Sequence, residues 1–85
     1  MKIMLDMRMV GTPGELQEYL KRSLFFPDYY GKNLDALHDM LTSWTQPAEF
    51  CLRLPASEEM RDYSSRLLRV FQDSARENPR IRVRA

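Results

Sequence analysis

Between residues 28 and 44 the sequence gathers Asp28, Tyr29, Asn33, Asp35, His38, Asp39, Thr42 and Trp44, the densest run of chemistry-bearing side chains in the chain. An imidazole one turn from a carboxylate, here His38 with Asp35 or Asp39, is raw material for acid–base catalysis. No nucleophile stands beside it. Cys51 alternates with Phe50 and Leu52 in an apolar run, the setting of an inert thiol. Asp35 and Asp39 could form a catalytic carboxylate pair, but acids four residues apart on a helix are ordinarily a solvated face. Gly11, Gly14 and Gly31 lack the spacing and the following lysine of a phosphate loop. One histidine and one cysteine leave no metal-ligand set. We therefore expect no enzyme, no cofactor and no metal. Recognition fits better. Like charges on one helical face cost a little stability, and they give a basic partner something to meet, with Tyr29 and Trp44 as apolar anchors beside them.

These side chains must be positioned by the surrounding elements. Lys2 to Met7 predicts a short strand. Thr12, Pro13 and Glu15 form a helix-start signal, and Leu16, Tyr19, Leu20 and Leu24 line one face of the helix that follows. Pro27 interrupts a loop of four aromatics, in which Phe26 and Tyr30 are expected in the core and Tyr29 outside. Asn33 caps a second helix running to about Leu41 or Thr42. At 100° per residue, Leu34, Leu37, Met40 and Leu41 gather on one side. Asp35, Asp39 and Thr42 gather on the other, with His38 on the border. Glu49 to Leu54 predicts a second strand. A late helix follows with a Ser64, Leu67, Leu68, Phe71 and Ala75 stripe, and Asp73 is expected on its wet side. Arg80 to Ala85 predicts a third strand with one arginine-bearing face. Strands joined through helices favour a small parallel sheet, and the arginine face implies that helices cover mainly one side.

Length and composition bound the answer. Eighty-five residues, 44% hydrophobic and 29% charged, suit one small globular domain, residues 1–85. A lone cysteine rules out a disulfide framework. No apolar run is long enough for a membrane span, and Asp6 interrupts any leader-like start, so a cytoplasmic protein is expected. The net charge of +1 is unevenly spread. Residues 28–49 carry Asp28, Asp35, Asp39 and Glu49 against Lys32 alone, whereas residues 50–85 carry eight arginines against five acids. Arg76, Arg80, Arg82 and Arg84 raise the question of nucleic-acid binding. The opposing acids and the lack of a groove-reading helix argue against it.

The run Phe26-Pro27-Asp28-Tyr29-Tyr30-Gly31-Lys32-Asn33-Leu34-Asp35-Ala36-Leu37-His38-Asp39-Met40-Leu41-Thr42-Ser43-Trp44 resembles the signature of the barstar family, small cytoplasmic inhibitors of guanyl-specific microbial ribonucleases. The remaining elements match in order and length, so the resemblance covers essentially the whole chain. It implies an α/β fold: a three-stranded parallel sheet with helices packed against it. It also implies that the second helix and its preceding loop enter a ribonuclease active site. On that resemblance Asp39 stands in for substrate phosphate, Asp35 meets the basic rim, Thr42 adds a hydrogen bond and Tyr29 packs over the catalytic histidine. Asn33 and Trp44 shape the contact loop and its edge. Asp73 matches a glutamate that reaches an arginine of the enzyme. His38, Ser43 and Met40 stand where the best-known member has tryptophan, glycine and cysteine. The expected partner is a basic ribonuclease or a similar basic protein, met by a free monomer. The alternatives are a protein-binding module with a partner that is not a ribonuclease, and an RNA-binding protein using Arg80, Arg82 and Arg84.

Overall fold

The computed structural model describes residues 1–85. Strand β1 (Lys2–Asp6) leads to helix α1 (Pro13–Leu24), where Thr12 caps the first turn by accepting a hydrogen bond from the Glu15 N–H at 3.1 Å. Helix α1 stops two residues before Pro27, at Phe25, whose left-handed backbone (φ 57°) ends the helical run. Helix α2 (Leu34–Thr42) follows, then strand β2 (Ala48–Arg53), a single 3-10 turn (Glu58–Met60), helix α3 (Arg61–Glu77) and strand β3 (Ile81–Arg84).

The three strands form a parallel sheet in the order β1-β2-β3, with Ile3 opposite Phe50 and Phe50 opposite Val83. Alternation along the strands turns Leu5, Phe50, Leu52 and Ile81 inward. They meet Leu16 and Leu20 of α1, Leu37 and Leu41 of α2, and Leu67 and Phe71 of α3 in one cluster of 16 buried residues. The helices thus cover one face of the sheet. Each fully buried leucine or phenylalanine here contributes about 1.5–3 kcal/mol of transfer free energy. The opposite face carries Lys2, Met4 and Asp6 of β1, Glu49, Cys51 and Arg53 of β2, and Arg82 and Arg84 of β3.

Phe26 and Tyr30 are buried as expected, with their rings 4.6 Å apart. Strand β2 ends one residue earlier than the alternation predicts, leaving Leu54 half-buried beyond it. On α3 the buried line is Ser64, Leu67, Phe71 and Ser74, and Leu68 and Ala75 flank it. That shift brings Asp73 off the wet side and onto the flank facing α2, where it is 38% exposed and paired with Arg76.

Candidate functional site

Helix α2 has nine residues, too few to hold together in water alone. Three external devices fix it. At its start, Asn33 Oδ1 accepts from the Ala36 N–H at 2.7 Å. The preceding residue, Lys32, takes a left-handed backbone (φ 55°), and its ammonium pairs with Glu18 of α1, drawing that carboxyl below its ordinary range. Gly31 is packed so close that an added Cβ would lie 3.3 Å from the Ala36 methyl. At the far end, buried Asn78 donates from Nδ2 to the carbonyls of Leu41 and Trp44, both at 2.9 Å, and its Oδ1 accepts from the Arg80 N–H at 3.0 Å. The Leu41 carbonyl belongs to the last turn of the helix, where it also accepts from the Trp44 N–H at 3.2 Å, and the Trp44 carbonyl lies just beyond the helix end. Between the two ends, His38 Nε2 lies 2.6 Å from Glu77 Oε2 of α3. The partner of His38 is therefore neither Asp35 nor Asp39.

The loop before α2 is fixed from beneath. Buried Gln17 of α1 accepts from the Tyr30 hydroxyl and donates to the Tyr63 hydroxyl of α3 at 2.8 Å. Burial pushes the Tyr30 hydroxyl far above its ordinary pKa, so it stays a protonated donor. Tyr29, one residue earlier, is 83% exposed and makes no aromatic pair within the chain.

On this frame Asp35 and Asp39 stand exposed, four residues apart, with no cation within salt-bridge distance. Asp35 also sits in the first turn, where the helix dipole favours a negative charge. The acids of residues 28–49 do not form one patch. Asp28 pairs with Lys21 at 3.5 Å, and Glu49 lies on the open face of the sheet. Thr42 is half-buried, and its hydroxyl donates to the His38 carbonyl at 2.8 Å. Trp44 is turned inward with its ring edge-on to Phe50 (5.2 Å), and its indole N–H is buried without a partner. It supports the edge of the site and is not a free anchor.

Across the groove between α2 and α3, Asp35 and Asp73 share a concavity of about 520 Å³ with Arg66 and Arg69. Arg66 pairs with Asp62 at 3.5 Å and lies over the Tyr63 ring (5.5 Å), whereas Arg69 has no ion-pair partner. The structure thus brings Asp35, His38, Asp39 and Thr42 onto one helix and Asp73 beside them. Gln17, Glu77 and Asn78 organise the site and carry no periodic signal that sequence reasoning could have used.

No group of histidine, cysteine and acidic residues is arranged to hold a metal, and no helix is long and apolar enough to cross a membrane. Comparison with known proteins then places the chain. The family model described as Barstar (barnase inhibitor) matches residues 1–84. A Bacillus subtilis (strain 168) protein, YrdF, named as a proposed ribonuclease inhibitor, is 38% identical over 79 residues, covering 89% of this chain and 87% of its own length. This fold, with a short capped helix standing over a three-stranded parallel sheet, belongs to the barstar family, whose members are inhibitors and not enzymes.

Proposed function

We propose that the chain acts in the cytoplasm by binding and blocking the positively charged active site of a secreted-type endoribonuclease. One observation carries the proposal: Asp35 and Asp39 are exposed on the same side of α2 and have no cation of their own. A ribonuclease must hold a polyanion, so its cleft concentrates positive charge. Two carboxylates on a helix fixed at both ends match that cleft without the cost of ordering a loop. Asp39 takes the place of a substrate phosphate and Asp35 meets the rim. Tyr29 supplies the exposed ring that packs over the cleft, and Thr42, His38 and Asp73 line the border. Asn33 and Trp44 act by holding the loop and the edge. With a net charge of only +1, long-range attraction to a basic enzyme is weak, so binding rests on the local carboxylates.

The test is capture from the cytoplasmic and secreted fractions of the native cell, followed by a ribonuclease assay on the retained protein. A retained ribonuclease silenced by the wild-type chain, and not by D35N/D39N, supports the proposal. A tight partner without ribonuclease activity supports the second reading, a protein-binding module on this scaffold. Arg69, unpaired in the groove beside Asp35, favours that reading, because it asks for an acidic group on whatever docks there.

A further inference from the structure

We propose that the open face of the sheet binds single-stranded RNA through its phosphate backbone, independently of α2. In sequence order the acids of residues 28–49 argue against such binding. In the fold Asp35 and Asp39 stand on the outer side of α2, and α2 covers the other face of the sheet. The arginines of β3 therefore do not share a surface with them.

Strand register arranges the open face in rows. Lys2, Glu49 and Arg82 lie side by side in one row, Met4, Cys51 and Arg84 in the next, and Asp6 and Arg53 in the third. Both acids on this face are already matched. Arg8 holds Asp6 through two guanidinium hydrogen bonds, at 2.9 and 2.8 Å. Glu49 is half-buried between Lys2 (4.0 Å) and Arg84 (3.8 Å). Arg53, Arg80 and Arg82 are left exposed with no ion pair. Two shallow concavities of about 440 and 450 Å³ lie on this side of the sheet, and Lys2 lines both. Arg53 and Arg84 line the first, and Arg80 and Arg82 the second.

The chemistry of this face selects its ligand. Guanidinium forks suit phosphate oxygens. Residues two apart on a strand are separated by about 6.6 Å, close to the repeat of phosphates along an extended nucleic-acid strand, and Arg82 and Arg84 have that spacing. The centre of the face holds only Met4 and Cys51, without the aromatic anchors that a protein interface concentrates at its core. It equally lacks rings on which bases would stack, so binding is to the backbone and indifferent to sequence. Such a face would station the chain on RNA, where a ribonuclease does its damage.

Fluorescence anisotropy with a labelled oligouridylate tests the proposal on the intact protein. For three to five phosphates, log affinity should fall against log salt with a slope of about −2 to −3.5. The charge reversals R82E and R84E should weaken binding at least about tenfold and flatten the slope by about 0.7 per lost contact. The milder R82Q/R84Q pair should move the same way, and D35N/D39N should bind RNA as the wild type does. The proposal is overturned if no binding is seen at low salt, if the arginine variants bind unchanged, or if polyglutamate of matched charge competes as well as RNA. The last outcome would mark the face as a site for an acidic protein.

Discussion

Helices α2 and α3 each present two carboxylates near the groove between them, and the two pairs are in opposite states. On α3, Asp73 is paired with Arg76 and Glu77 with His38. On α2, Asp35 and Asp39 have no partner and repel each other across one turn. A folded chain gains a little by pairing its charges. The unpaired set is therefore the one that costs stability and, on the proposed function, is free for a partner, while the paired set holds the scaffold. Position in the groove does not separate them, since Asp35 and Asp73 line the same concavity.

The sharpest way to break this contrast is to remove the free pair. D39N should cost about 3–5 kcal/mol of binding to a captured ribonuclease, because an enzyme cation would be left buried without its partner. The same change should leave the melting temperature unchanged or raise it, since relief of like-charge repulsion at this spacing is worth about 0.2–0.5 kcal/mol. Calorimetry and thermal melting read the two effects separately.

Next in size is the clamp behind the free pair. N78A removes the donor to the Leu41 and Trp44 carbonyls inside the fold, and it should cost about 1–3 kcal/mol in denaturant unfolding. Here stability falls first, and binding falls only as the end of α2 loosens.

The paired set should respond weakly. The Glu77 carboxylate and the His38 ring are 58% and 35% exposed, so E77Q should change stability by less than about 1 kcal/mol. D73N should likewise change binding by less than about 1 kcal/mol, because Asp73 already has Arg76 at hand. A loss on D73N as large as that on D39N would erase the distinction between the two pairs.

Much of this layout was legible in the residues. Thr12 and Asn33 announced the two caps, a nearly all-apolar run announced β1, and alternation of Ile81 and Val83 with arginines announced β3. The 3.6-residue period separated Leu37 and Leu41 from Asp35 and Asp39 on α2. Polar contacts made across the fold were not legible. His38 meets Glu77 from 39 positions away, Asn78 reaches Leu41 from 37, and Gln17 bridges Tyr30 and Tyr63 from 13 and 46. A polar side chain has no periodicity, so nothing in its neighbours reveals which distant group it will satisfy. Trp44 and Thr42 show the same limit, because their surface roles depend on where the ring and the hydroxyl turn after packing. The acidic middle of the sequence dispersed for a topological reason: a strand carries Glu49 to the open face of the sheet, away from Asp35 and Asp39.

The smallest effect lies farthest from the site. Hydrogen bonds from the Arg8 guanidinium, joined by its backbone N–H, lower the Asp6 carboxyl from 3.8 to about 2. A depressed carboxyl stabilises the fold in full above its unfolded value, and that contribution fades as pH falls from about 4 toward 2. D6N should flatten the acid side of a melting-temperature profile over that window, lowering the melting temperature slightly at neutral pH and leaving it unchanged near pH 2.

On the proposed function, the unpaired carboxylates of α2 are what a ribonuclease meets. That role is tested most directly by titrating the captured ribonuclease with the wild-type chain and with D35N/D39N, after circular dichroism has shown that both fold alike. Ribonuclease activity should fall stoichiometrically with the wild type and stay full in excess double variant. Equal inhibition by the two proteins would contradict it.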